Sequence, residues 1–166
     1  MRFSGSIRPA VDADVPAILA LHNDAIVNSL SIWMDAPVEP ANRRAWFNGR
    51  LAAGFPVLVA EISGVFAGYA SYGPFRSGDG YRETVENSVY IESAQRGRGV
   101  GRALMLALVG AARAQGRHVI VAAIGLPNDA SVALHRGVGF EEAGILREIG
   151  LKNGRRLDLM MMQLRL

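Results

Sequence analysis

Between residues 81 and 124 the chain passes through a fixed succession of patterns that restricts it to a sheet with helices packed on it. Residues 81–91 alternate long enough to form a strand, with Val85, Val89 and Ile91 on one face and polar side chains on the other. The stretch 93–101 is rich in glycine and arginine. Leu104, Leu108 and Ala111 or Ala112 then build a helix ending near Gly116, and 119–124 is an apolar β-branched run typical of a buried strand.

The flanks continue the alternation. A short strand over 6–9 precedes a helix capped by Asp12 and carrying Ile18, Leu19, Leu21, His22 and Ile26 at helical spacing. A second helix over 39–53 carries Trp46, Phe47 and Leu51, and strands 57–62 and 65–72 meet as a hairpin at Ser63-Gly64. A loop spans 73–80. Asn128 caps a helix to about Val138, and strands 140–149 and 157–164 pair about Asn153-Gly154. With 166 residues and no repeat or linker, this predicts one α/β or α+β domain with a mixed sheet over the whole chain, 1–166.

Composition removes several function classes. Lys+Arg 18 against Asp+Glu 15 leaves +3, too mild and dispersed to argue for nucleic acid. Only Lys152 among those cations is a lysine, a bias read as coding composition. The longest uncharged stretch, 103–112, is far shorter than the roughly 20 residues that span a bilayer, and the N-terminus lacks a signal-peptide core. The absence of cysteine excludes disulfides, a thiolate metal site and a cysteine nucleophile, and a cytoplasmic location without membrane or nucleic-acid partner is expected.

The run Gln95-Arg96-Gly97-Arg98-Gly99-Val100-Gly101 carries the clearest chemistry. Glycines after a strand and before a helix let backbone N–H groups approach an anion, and the helix N-terminus adds about half a positive charge. A pyrophosphate fits; a plain glycine-rich connection is the alternative. The spacing G-x-G-x-G is not the dinucleotide pattern G-x-G-x-x-G, and 124–125 brings no acidic residue for a ribose. Nor is it a phosphate loop ending in Gly-Lys-Ser or Gly-Lys-Thr. Arg98 and Arg102 add charge beside the amides.

On the polar face of the 81–91 strand, Arg82, Thr84, Glu86 and Ser88 alternate and point one way. Arg82 and Glu86 are about 13 Å apart at Cα, a span that two long side chains close around a small zwitterion. A solvated sheet face is the other reading. Asn128, Ser131 and His135 share a helical face; His22 and His118 lack partner spacing and read as structural.

With these motifs the chain resembles the GNAT superfamily of acetyl-coenzyme A dependent N-acetyltransferases, whose pyrophosphate loop has the form Q/R-x-x-G-x-G/A. The likeness narrows to the phosphinothricin and methionine sulfoximine acetyltransferases through Thr84-Val85-Glu86-Asn87-Ser88-Val89-Tyr90-Ile91, Gly125-Leu126-Pro127-Asn128-Asp129 and Leu134-His135-Arg136-Gly137-Val138-Gly139-Phe140. It implies a mixed, mostly antiparallel sheet flanked by helices, and a homodimer.

The same resemblance implies acetyl-coenzyme A as cosubstrate and no metal. Gln95, Arg96, Gly97, Arg98, Gly99, Val100, Gly101 and Arg102 would bind it together with Asn128 and Ser131, and Val89, Tyr90 and Ile91 would offer backbone groups to its thioester and pantetheine. Glu86 takes the place of the general base, with Glu83 and Glu92 matching less well. His135 stands where many relatives place the tyrosine that protonates the departing thiolate, work an imidazole suits because its pKa lies near neutrality. Arg76, Arg82, Thr84, Asn87, Ser88, Trp33 and Phe75 would border the substrate.

One departure bears on substrate choice. Where the family commonly has Gly-x-Trp-x-Asp, this chain has Gly154-Arg155-Arg156-Leu157-Asp158. The expected activity is acetylation of the α-amine of a small amino acid or amino-acid analogue. An ammonium must lose a proton before it attacks a thioester, and without cysteine the transfer is direct. The rivals are acetylation of a protein N-terminus or a polyamine, and a coenzyme A binding module without catalysis.

Overall fold

A computed structural model describes residues 3–166. In chain order the elements are β1 (Ser6–Pro9), α1 (Val15–Asn28), α2 (Pro40–Ala52), β2 (Val57–Ile62), β3 (Val65–Pro74), β4 (Thr84–Ile91), α3 (Val100–Ala114), β5 (Val119–Gly125), α4 (Asp129–Val138), β6 (Glu141–Lys152) and β7 (Arg155–Arg165). The strands form one sheet in the order β1-β2-β3-β4-β5-β7-β6. Only β4 and β5 run parallel. The expected mixed, mostly antiparallel sheet is the one observed.

Both tight hairpins form where their sequences predict. Ser63 and Gly64 have φ of 52° and 76°, and Asn153 and Gly154 have 50° and 73°, the pair of positive values that matches the twist of the flanking strands. Two apolar layers sandwich the sheet. α1 and α2 cover one face through Val15, Ile18, Leu21 and Phe47, which meet Val57, Val59 and Tyr69. α3 covers the other through Leu104, Met105 and Leu108 against Val85, Ile120 and Met162, with Leu134 of α4 packed alongside.

Several boundaries differ from the sequence reading: β6 runs on to Lys152 and β7 begins at Arg155, instead of 149 and 157, and three others have a visible cause. Asp12 opens a 3-10 turn, Asp12–Asp14, and α1 itself is capped at Asp14. The Asp14 carboxylate accepts the Val11 N–H at 2.7 Å and the Arg8 guanidinium at 2.8 Å, which fixes the entry there. β3 continues through Pro74, so the loop starts later than residue 73. Arg82 is not on the strand: it closes a 3-10 turn, Asp79–Tyr81, two residues before β4. The Tyr81 ring packs on Phe75 at 5.8 Å and the Arg82 carbonyl accepts from Arg117 at 2.7 Å, which together hold this segment out of the sheet.

Lys152 is a structural element in its own right. It is 2% exposed, and its ammonium donates to the carbonyls of Ile26, Ser29 and Ile32. These carbonyls belong to the last turn of α1 and the segment after it, where unpaired acceptors and the negative end of the helix dipole favour a cation. One side chain from the end of β6 therefore anchors the connection to α2.

Candidate active site

Glu86 stands where two neighbouring strands part. β4 and β5 pair only over Thr84 with Val119, Val85 with Ile120 and Glu86 with Val121. Beyond that point β4 keeps β3 as far as Ile91, and β5 keeps β7 as far as Gly125. Main-chain groups alternate sides along a strand: the Thr84 carbonyl and the Glu92 N–H bond to Phe75 and Ala67 on the β3 side, and the Glu83 carbonyl to His118 on the β5 side. Asn87, Val89 and Ile91 therefore turn theirs to the cleft with no strand partner, while Tyr90, against expectation, turns its own to β3.

The glycine loop lies at the end of β4. A 3-10 turn, Ser93–Gln95, leads to Gly97 and Gly99, whose φ values of 73° and 80° suit glycine, and Gly99 caps α3. The first amide to reach back to Gly99 is that of Ala103, at 3.0 Å, so the N–H groups of Val100, Gly101 and Arg102 have no acceptor within the helix. A side chain at Gly101 would meet Leu134 at 3.1 Å and Ile91 at 3.7 Å, so the first turn of α3 packs against α4 and the end of β4. Arg98 donates to Gln95 Oε1 at 2.7 Å and Arg96 to the Ile91 carbonyl at 3.4 Å, while Arg102 is exposed.

Alternation along β4 separates two environments. Thr84, Glu86, Ser88 and Tyr90 face the side of α1 and α2, where the Tyr90 and Tyr69 rings lie 5.2 Å apart. Glu86 is half-buried, and burial raises its carboxyl above the ordinary glutamate range against the opposing pull of Arg76 and Arg50. Thr84 lines a shallow depression with Phe75, Tyr81, Val121 and Met161. Arg76 stacks on Phe75, 5.0 Å from the ring centre, and Arg82 instead donates to the Asp79 carbonyl at 2.9 Å.

Asn87 faces the other way, toward α3 and α4, and is buried together with His135. The His135 Nδ1–H donates to the Ser131 carbonyl at 2.8 Å, which leaves Nε2 to accept from Asn87 Nδ2 at 3.0 Å. Both ring nitrogens are engaged within the protein, and burial lowers the imidazole pKa and keeps it neutral. Asn128 caps α4 by accepting the Ser131 N–H at 3.2 Å, so Asn128, Ser131 and His135 form one polar line along the helix.

Several residues of this region escaped the sequence reading. Arg43 is buried beside His22, with its guanidinium 3.2 Å from His22 Nδ1; burial, and then Arg43, push that imidazole down to about 4. His118, in contrast, is exposed. Arg50, also unread, lies over Gly73, whereas Trp33, expected to border the substrate, sets its indole over Gly125 and Gly150. None of these three glycines has a left-handed φ, so the signal was legible: glycine inside a strand often marks a close approach from above. Arg156, at the departure from the family pattern, is exposed beside the β6–β7 turn, whereas Asp158 accepts from Arg147 at 2.6 Å and from the Glu148 N–H at 2.8 Å.

The model of the acetyltransferase (GNAT) family matches residues 18–140. The chain belongs to this family. It is 53% identical over 164 residues to an L-methionine sulfoximine/L-methionine sulfone acetyltransferase of Pseudomonas paraeruginosa, covering 98% of this chain and 95% of that one. The solved structure of a ribosomal-protein-alanine N-acetyltransferase from Brucella melitensis superposes with a TM-score of 0.95 at 51% identity, over 97% and 99% of the two chains. A GNAT phosphinothricin acetyltransferase from Sinorhizobium meliloti, in complex with acetyl-coenzyme A, gives 0.95 at 35% identity, over 99% and 89%. In this GNAT chain the open amides of the first turn of α3 and the unpaired edge of β4 fit the anionic and amide-bearing parts of such a coenzyme.

That fit yields a test. Gly99→Glu places a side chain at a φ of 80° and a negative charge against the open amides. Calorimetry is expected to show at least a tenfold loss of acetyl-coenzyme A affinity, an order of magnitude being about 1.4 kcal/mol. Wild-type affinity in a folded variant would remove the coenzyme from this loop.

Proposed function

We propose that the protein transfers the acetyl group of acetyl-coenzyme A to the α-amine of a small amino acid or analogue of the methionine sulfoximine or phosphinothricin type. The carrying observation is the setting of Glu86, a half-buried carboxylate at the parting of β4 and β5 with Arg50 and Arg76 acting on it from two other segments. Such a place suits a molecule holding an amine and an acid a few ångströms apart. The names of the relatives support the same reading.

Bound acetyl-coenzyme A supplies the thioester carbonyl that the amine attacks. Glu86 accepts the proton of the ammonium, directly or through a water, and its raised pKa brings it closer to the amine it must deprotonate. The β5-facing edge of residues 87–91 orients the acyl arm. His135, neutral and bonded at both nitrogens, acts as a positioning residue that ties α4 to β4 just past the parting. Without cysteine the acetyl group passes directly between substrates: the C–N bond forms, the thioester C–S bond breaks, and coenzyme A leaves as a thiolate that takes up the second proton lost by the amine nitrogen.

Similarity to the Brucella melitensis protein gives one competing reading, acetylation of an N-terminal alanine. A peptide N-terminus has an amide where a free amino acid has its α-carboxylate, and the arginines beside Glu86 favour the acid. Steady-state kinetics on methionine sulfone and its α-amide separate the two. Loss of a charge-assisted pair is worth about 1.5 to 3 kcal/mol, so the acid is expected to lead the amide by roughly 10- to 100-fold in kcat/KM. Equal values would favour the peptide reading.

A further inference from the structure

We infer that Arg50, admitted to the sheet by the missing side chain at Gly73, is the residue that binds the α-carboxylate and so selects amino acids as acceptors. This rests on the acetyl-transfer reading above and names the group that performs its selection. Gly73 lies in β3 directly opposite Glu86, and across an antiparallel pair two Cβ atoms are about 4.5 to 5.5 Å apart on one face. The Arg50 guanidinium, from the last turn of α2, occupies the space that a Gly73 side chain would fill. It therefore takes the place of a cross-strand neighbour of Glu86.

Gly73 has no left-handed φ, so its backbone does not require glycine; the guanidinium does. Arg50 is held from the side by aromatic rings, with Trp46 at 5.8 Å and Phe55 at 5.9 Å, and its Nε is buried with no partner among the described residues. Ion pairs among those residues use Arg8, Arg44, Arg147 and Arg165, but not Arg43, Arg50 or Arg76. Arg50 and Arg76 thus act on the Glu86 carboxylate without forming an ion pair with it, and Arg43 adds a like charge beside Arg50. A ligand that brings an anion to Arg50 completes the charge balance, and a carboxylate there sets its α-amine toward Glu86, one strand away. A guanidinium fork fits a carboxylate where a lysine point charge does not.

The decisive experiment compares wild type, Arg50→Gln, Arg50→Lys and Gly73→Ala on methionine sulfone and its α-amide, with acetyl-coenzyme A affinity measured alongside. Gly73→Ala keeps every charge of the protein and displaces only the guanidinium end of Arg50, so it reports position separately from charge. In Arg50→Gln and Gly73→Ala, kcat/KM for the acid is expected to fall roughly 10- to 100-fold through KM, with the amide little changed, so that the preference for the acid disappears. Arg50→Lys should recover part of it, and coenzyme affinity should stay at the wild-type value in all three variants. A wild type that does not distinguish acid from amide would overturn the amino-acid reading and this inference with it. A wild type that does distinguish them, beside Arg50→Gln and Gly73→Ala variants that retain the same ratio, would overturn the role of Arg50 alone.

Discussion

Glu86→Gln is expected to lower kcat by roughly two to four orders of magnitude, the usual worth of a general base, and to leave acetyl-coenzyme A binding intact. Glutamine keeps the size of the side chain and can still hydrogen-bond, so what it removes is the capacity to take a proton. The pH dependence carries a second signature. A base acts only when deprotonated, so wild-type kcat/KM falls as pH drops through its pKa, and burial places that fall above the ordinary glutamate range. Arg50→Gln removes a neighbour that favours the charged carboxylate, which moves the fall to still higher pH. In Glu86→Gln that acid limb should be absent. A variant within a few-fold of wild type at every pH would move the base elsewhere, with half-buried Glu92 and exposed Glu83 next to be tested.

Lys152→Met is expected to destabilise the fold by about 3 kcal/mol, the order of charge-assisted hydrogen bonds lost together with buried acceptors left unpaired. Methionine preserves the apolar stem and removes the ammonium, so the carbonyls of Ile26, Ser29 and Ile32 lose their shared donor at the end of α1. For a domain of this size each kcal/mol is worth about 2 to 4 °C, which puts the expected fall in melting temperature at roughly 6 to 12 °C. Limited proteolysis should then cut first within residues 29–39, the connection that carries Trp33 over Gly125 and Gly150. An unchanged melting temperature would mean that water replaces the ammonium without cost.

The fold was legible because its punctuation is local. Ser63-Gly64, Asn153-Gly154 and the Asn128 cap each state a backbone conformation within two or three residues, and all three form as read. The glycine loop was legible for the same reason. The surroundings of Glu86 were less so, because they depend on what crosses the sheet. Arg50 is 36 residues from Glu86 in sequence and reaches it only through the opening at Gly73. Lys152 could be read as compositional bias because its acceptors are backbone carbonyls 120 to 126 residues away, which no side-chain pattern announces. Arg82 illustrates the opposite error: period-2 alternation ran past the true start of β4 into a turn held by Tyr81 and Arg117.

The most direct measurement is release of free thiol from acetyl-coenzyme A by the wild-type protein, followed together with the mass of the acetylated product. The acceptors are methionine sulfoximine, phosphinothricin, a peptide with N-terminal alanine, and a polyamine. The account predicts one thiol released for each N-acetylated amino acid formed, with the peptide and the polyamine at least tenfold slower in kcat/KM. Thiol release driven by the peptide or the polyamine, with the free amino acids inert, would contradict it.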